Sequence, residues 1–213
     1  MKHVVQKQLA QSIATMQAVL ADESISDTIV TIAQLTAQAL KSGNKLLVAG
    51  NGGSAADAQH LVAEFVVRLS DNRPALRAIA LTTDSSILTA CGNDFGFDQI
   101  FARQIEALGQ PGDVFVGIST SGNSPNIVKA LHQAKKQSIT TIGFTGGTGG
   151  QMLTLCDHTI VIPSNVTMNI QESHLALEHI FCMAVERFYF APAFDSSSQP
   201  LESSLPQVLL QPS

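Results

Sequence analysis

Five short apolar runs, separated by stretches of helical periodicity, constrain the fold of this chain more than any other feature of its sequence. The runs have the length and β-branched content of buried strands; they span 45–50, 77–81, 114–118, 140–144 and 159–162. Strands that are apolar on both faces need cover on both sides, and helices between successive parallel strands provide it. The alternation therefore predicts an α/β fold, a three-layer αβα sandwich around a central parallel sheet of about five strands.

Stretches with apolar residues at helical spacing lie before, between and after these runs. Residues 4–20 and 25–40 contain neither Gly nor Pro and predict two N-terminal helices ahead of the first strand. Further helices are predicted over 54–69, over 85–108 with a break at Gly92-Asn93-Asp94, over 124–137 and over 170–190. The three middle helices each begin at a serine that could cap the helix.

The chain length of 213 residues favours one domain. We expect that domain to span 1–191, with the N-terminal helices as an extension of it. The remaining 192–213 is rich in Pro and Ser and shows little periodicity, so we expect a loosely docked tail.

Charge and cysteine content narrow the functional classes. A net charge of -5 with only 12 Lys and Arg argues against a nucleic-acid partner, because binding a phosphate backbone requires a basic surface. The three cysteines form no CxxC pair, and no apolar run reaches the length of a membrane span. We therefore expect a cytoplasmic protein with no membrane partner.

Two loops follow predicted strands and precede predicted helices, which is where α/β folds bind ligands. In the first loop, Gly50-Asn51-Gly52-Gly53-Ser54, the glycines let backbone N–H groups approach an anion or a sugar hydroxyl. It lacks both the lysine of a P-loop and the spacing of a dinucleotide fingerprint. A plain flexible turn is the alternative.

The second loop, Ser119-Thr120-Ser121-Gly122-Asn123-Ser124, presents four hydroxyl groups at the start of a predicted helix. Dense hydroxyls at a helix N-terminus suit phosphate oxygens. Capping of the helix could account for one hydroxyl but not for four. We expect the two loops to share one pocket.

Two polar groups on predicted helices could carry acid–base or metal chemistry. His60 and Glu64 are four residues apart and project from one helix face, a spacing that can chelate a metal but that also occurs in plain surface pairs. The last helix combines Gln171 with Glu178 and His179, and Gln171 lies about 12 Å from His179 along the helix axis. Either Gln171 reaches across from the helix entrance, or neighbouring subunits contribute to the site.

Taken together, these segments resemble the phosphoheptose isomerases, and the resemblance runs from about residue 10 to residue 190. It depends on Asn51-Gly-Gly-Ser-Ala-Ala-Asp-Ala-Gln-His60 with Glu64, on Leu81-Thr-Thr-Asp with Gly92-Asn-Asp-Phe-Gly-Phe97, on Gly117-Ile-Ser-Thr-Ser-Gly-Asn-Ser-Pro125, and on Ile170-Gln-Glu-Ser-His174 with His179.

The resemblance implies a SIS (sugar isomerase) fold of the flavodoxin-like type and a homotetramer with active sites at subunit interfaces. It also implies a zinc ion held by His60, Glu64, Gln171 and His179, with Glu64 as base and His179 as acid. Sugar-phosphate contacts are expected at Asn51, Gly52, Gly53, Ser54, Glu64, Asn93, Asp94, Ser119, Thr120, Ser121, Ser124 and Gln171.

The reaction implied by the resemblance converts sedoheptulose 7-phosphate into D-glycero-D-manno-heptose 7-phosphate through an enediol. It is the first step of ADP- or GDP-heptose biosynthesis, which serves lipopolysaccharide and similar glycans. The alternative is a non-catalytic SIS protein that binds a sugar phosphate or a replication initiator. Such a protein would not need Glu64 and His179, and the related initiator-binding proteins lack counterparts of both. A metal-dependent hydrolase fits less well, because Gln is an unusual ligand there.

Overall fold

The computed structural model describes residues 1–190 and confirms the α/β sandwich. Five parallel strands form one sheet in the order β2-β1-β3-β4-β5. In chain order the strands are β1 (Leu46–Gly50), β2 (Ala78–Ala80), β3 (Val114–Ile118), β4 (Thr140–Gly146) and β5 (His158–Ile162). The helices are α1 (Lys2–Ala21), α2 (Glu23–Lys41), α3 (Gly53–Val66), α4 (Ser85–Asp94), α5 (Ala102–Leu108), α6 (Pro125–Lys136), α7 (Met152–Leu155) and α8 (Thr167–Tyr189).

The two faces of the sheet are buried against different helices, which is why the strands read as continuous apolar runs. Along β1, Leu46 and Val48 join the core beneath α2, α3 and α8, whereas Leu47 joins the core beneath α5 and α6. All five residues of β1 are buried, as are all five of β3. The parallel register, with Leu47 between Ile79 and Phe115, brings the ends of adjacent strands to one edge of the sheet.

One local expectation is confirmed in part and another is wrong. The helix predicted over 85–108 is broken as expected, but Gly92-Asn93-Asp94 complete α4 and the break follows them. The side-chain caps expected from serines do not form. Gly52 is the N-cap of α3 and Asp84 that of α4, and Ser124 occupies the N-cap position of α6 without making a side-chain capping bond. The side chain of Asp84 accepts a hydrogen bond from the Ile87 amide at 2.9 Å, so a carboxylate caps α4.

The N-terminal helices pack on the side of the sheet that carries α8. Ile29 and Ile32 of α2 are buried in the core with Phe181 of α8. In α1, only Thr15 and Val19 are buried, so most of its apolar side chains face outward. Among residues 1–190, no helix combines the length and hydropathy needed to cross a bilayer. The predicted tail, 192–213, lies outside the described residues.

Candidate active site

The loops after β1 and β3 meet at the carboxyl edge of the sheet. The Asn51 amide donates to Asn126 Oδ1 at 2.9 Å, and the Asn126 amide donates back to Asn51 Oδ1 at 2.7 Å. Asn126 is buried in the first turn of α6. The reciprocal amide pair joins the two loops, as their positions after adjacent strands lead us to expect.

The hydroxyls of the second loop converge on one another. Ser119 Oγ lies 2.8 Å from Ser124 Oγ and 3.5 Å from Ser121 Oγ. Because Ser124 bonds to Ser119, its hydroxyl does not cap α6, and the capping alternative fails. Thr120 and Ser121 line a pocket of about 250 Å³ at this edge.

That pocket also includes residues that are not among the predicted site residues. Its far wall comes from two segments, the first at the end of β4 and the loop after it, the second at the loop before α8 and the first turn of α8. The wall consists of Gly146, Gly147, Thr148, Ser164, Asn165, Thr167 and Ile170. The signal for the first segment was a glycine-rich stretch directly after a predicted strand, the same arrangement that identified the loop at Gly50.

The start of α3 depends on two adjacent glycines. Gly52 has φ +57°, a left-handed conformation that side chains other than glycine rarely adopt. At Gly53, a Cβ would collide with the side-chain amide of Gln171. The glycine therefore lets the beginning of α3 lie directly against the first turns of α8.

Three potential ligand atoms gather about two turns further along the same helix pair. His60 Nε2 lies 2.7 Å from His179 Nε2 and 3.6 Å from Glu64 Oε1. The ligand atoms of His60, Glu64 and His179 all lie within 4.8 Å of one another, and all three side chains are partly accessible. The structure thus unites residues that are 119 positions apart in the chain.

The donor set fits a divalent metal ion of the zinc type. Two imidazole nitrogens and a carboxylate oxygen are ordinary zinc ligands, and nitrogens about 2.0–2.1 Å from a tetrahedral ion would stand about 3.3 Å apart. The observed separations of 2.7 and 3.6 Å bracket that value. Gln171, the fourth predicted ligand, lies instead against Gly53 at the other end of this helix contact.

Asp57 and Glu178, close in sequence to the three-residue cluster, have buried oxygens without partners among residues 1–190. Glu178 is fully buried, and within this described part of the chain neither of its carboxyl oxygens has a hydrogen-bond partner. Burial, and then the charge of Asp57, raise the pKa of Glu178 to about 8. Burial also raises the pKa of Asp57, while His60 acts in the opposite direction. The interior beside His179 thus favours a neutral Glu178.

The remaining predicted contacts lie apart from the cluster. Asn93 and Asp94 end α4, where both are exposed and the Asn93 amide donates to Asp94 Oδ1 at 2.8 Å. Ser54 is buried beneath the loop, where Gly50 packs against it. Phe97 and Asp98, which follow α4, line a second pocket with Asn51, Ser124, Pro125 and Asn126.

Comparison with known proteins finds close relatives along nearly the whole chain. The SIS domain family matches residues 9–146. A phosphoheptose isomerase of Aneurinibacillus thermoaerophilus is 50% identical over 196 residues, which cover 92% of this chain and 99% of that protein. One from Burkholderia pseudomallei is 51% identical over 182 residues, or 85% of this chain and 92% of that protein.

A solved structure agrees with these relatives. The phosphoheptose isomerase of Neisseria gonorrhoeae superposes with a TM-score of 0.82 at 41% sequence identity. The match covers 87% of this chain and 98% of that one. The similarity therefore extends to the fold as a whole.

Proposed function

The chain belongs to the phosphoheptose isomerases, which are SIS-domain proteins, and we propose that it interconverts sedoheptulose 7-phosphate and D-glycero-D-manno-heptose 7-phosphate at the site described above. The observation that carries this proposal is the convergence of His60, Glu64 and His179 on α3 and α8. The cluster lies about 10 Å along α3 from the Gly-rich loop, a span that suits an extended sugar phosphate. We place the reaction in the cytoplasm, at the first step of ADP- or GDP-heptose biosynthesis.

Substrate binding is assigned to the edge of the sheet. The hydroxyls of Ser119, Thr120, Ser121 and Ser124 would donate to the phosphate oxygens at the start of α6, where the helix dipole also favours an anion. Asn51, Gly52, Gly53 and Ser54 would hold the sugar from the other loop, together with Asn93, Asp94, Glu64 and Gln171. Because the chain carries few cationic side chains, these neutral donors would contribute most of the free energy of phosphate binding.

Isomerisation moves one proton between C1 and C2 while the two oxygens exchange protons. In the proposal, the Glu64 carboxylate takes the proton from one carbon and returns it to the other through the enediol. His179 supplies a proton to the oxygen that gains it and accepts one from the oxygen that loses it. Each such group typically contributes about 10² to 10⁴-fold in rate.

Zinc is the ion we assign to His60, Glu64 and His179, and when bound it would polarise the substrate carbonyl. A carboxylate that coordinates a metal is a weaker base than a free one. Glu64 therefore acts as base only when its side chain is turned to the sugar carbons.

We propose that Gln171 completes the ligand set from a neighbouring copy of the chain. Within one chain, Gln171 and His179 are separated by about 12 Å along α8, too far to share one ion. Association of copies is supported by α1, whose Val4, Val5, Leu9 and Ile13 side chains are each more than half exposed. A homotetramer with active sites between subunits is the arrangement we favour.

The test is turnover of sedoheptulose 7-phosphate by the purified chain, with and without Zn²⁺, followed by detection of the aldose product. Glu64→Gln should lower kcat by about 10² to 10⁴-fold, because the amide cannot take up the proton. Glu172→Gln, which changes an exposed glutamate on the same helix as His179, serves as the matched control and should leave kcat unchanged. A folded wild-type chain that binds the sugar phosphate without turnover would favour the non-catalytic regulator instead.

A further inference from the structure

Arg73 lies in the connection between α3 and β2, outside both ligand-binding loops and the predicted metal ligands. Its side chain is only 3% exposed, which is unusual for arginine. Nη2 donates to the backbone carbonyl of Glu64 at 2.7 Å, and Nη1 donates to that of Phe65 at 2.8 Å. These carbonyls belong to the last turn of α3, where a helix lacks its own donors. Arg73 therefore caps the end of α3 at the residue we assign as base.

Glu186 holds the same guanidinium from α8. Its Oε1 accepts from Arg73 Nε at 2.7 Å and lies 2.6 Å from Nη2, and its side chain is also 3% exposed. The same oxygen accepts a weaker bond from the Leu69 amide at 3.4 Å. Glu186 follows His179 by seven residues, about two helical turns, so both project from a similar face of α8.

One planar guanidinium thus joins the two helices that carry the reacting groups. On α3 it contacts the backbone of Glu64, and on α8 it pairs with a carboxylate two turns beyond His179. The same two helices also pack directly, because Phe65 of α3 contacts Phe181 of α8 with ring centroids 5.8 Å apart. A slide of α3 along α8 would break the Arg73 contacts and move Glu64 relative to His179.

We propose that Arg73 and Glu186 are positioning residues that set the separation of Glu64 and His179. The inference rests on the proposed function for the roles of Glu64 and His179, while the contacts themselves are independent of it. Arginine is required because its rigid fork reaches two carbonyls and a carboxylate together, whereas a lysine ammonium is a single point of charge on a flexible stem.

The experiment measures kcat, KM and the melting temperature of Arg73→Lys and Glu186→Gln. We expect Arg73→Lys to lower kcat by about ten- to a hundredfold with KM within about twofold, because small misplacement of a catalytic group has effects of that size. Glu186→Gln keeps an acceptor for the guanidinium and should show a smaller loss in the same direction. If Arg73→Lys does not fold, Glu186→Gln alone decides.

Leu131→Ala, at a buried position of α6, is the control for a loss of stability as such. It should lower the melting temperature without lowering kcat at temperatures where the protein stays folded.

A second readout is a double-mutant cycle with Glu64→Gln. If Arg73 acts through Glu64, then Arg73→Lys should lower kcat much less in the Glu64→Gln background than in the wild type. The inference would be overturned by additive losses of kcat in the cycle, or by a wild-type kcat in both Arg73→Lys and Glu186→Gln.

Binding of Zn²⁺ alone, measured by calorimetry, separates this inference from the proposed function. The affinity depends on the relative positions of α3 and α8 because the cluster draws on both helices. We expect Arg73→Lys to weaken it by about tenfold, a size typical of changes around metal ligands. If the wild type is inactive but Arg73→Lys still weakens Zn²⁺ binding, the isomerase function is refuted and the positioning role of Arg73 is supported. Unchanged Zn²⁺ affinity in Arg73→Lys would refute the positioning role.

Discussion

A buried histidine of α8 should make the stability of this protein depend on pH. His174 is fully buried, its Nε2 lies 3.0 Å from the Thr145 carbonyl, and its Nδ1 has no partner within the part of the chain that the structure describes. Burial lowers the pKa of His174 to about 4, although the hydrogen bond to Thr145 acts in the opposite direction. The ring is therefore neutral in the folded protein, and Nε2 donates to the carbonyl oxygen.

The size of the effect follows from proton linkage. Below the ordinary pKa of 6.5, the unfolded chain binds a proton at His174 that the folded chain does not bind until the pH approaches 4. The free energy of unfolding thus falls with decreasing pH by up to about 1.36 kcal/mol per pH unit in this window. At pH 5 the loss from this one group amounts to about 2 kcal/mol, and above pH 6.5 the contribution is fully present.

His174→Gln removes the titration but keeps an N–H that can donate to Thr145. We expect the difference in unfolding free energy between pH 7.5 and pH 5 to shrink by about 2 kcal/mol relative to the wild type. Urea denaturation should be followed at one protein concentration, because association of copies adds to stability, and with a chelator present. His132→Gln, which removes an exposed histidine of α6, controls for the loss of an imidazole as such. An unchanged pH dependence in His174→Gln would refute a neutral, buried His174.

Three further outcomes are expected. Gly53→Ala puts a Cβ where the Gln171 amide lies, so turnover should fall. At Gly92 a Cβ would meet no described residue within 4 Å, so Gly92→Ala should leave turnover unchanged in the same assay. Phe181→Ala deletes a fully buried ring and should cost about 3–5 kcal/mol of unfolding free energy in urea denaturation. Ser121→Ala removes a hydroxyl from the pocket where we place the phosphate and should raise KM by about ten- to a hundredfold with little change in kcat, since a hydrogen bond to a charged group contributes about 1.5–3 kcal/mol.

The local features of the fold were predictable because they depend on neighbours in the sequence. All five strands were predicted from short apolar runs. The reason is clearest in β1 and β3, where every residue is buried and both faces favour apolar side chains. The helix starts were less predictable. Ser54, Ser85 and Ser124 all have the chemistry of caps, yet the backbone places Gly52 and Asp84 in two of the cap positions and directs the Ser124 hydroxyl to Ser119.

The sequence by itself determined the class of fold, the two loops at the carboxyl edge of the sheet, and the shared helix face of His60 and Glu64. All of these follow from the period of a helix or strand and from the order of elements along the chain. Only the tertiary structure decided that His179 meets His60 while Gln171 lies apart at Gly53, and that Arg73 binds the carbonyl of Glu64. These contacts depend on how α3 packs against α8, and packing is set by side chains distant in sequence, which no local periodicity records.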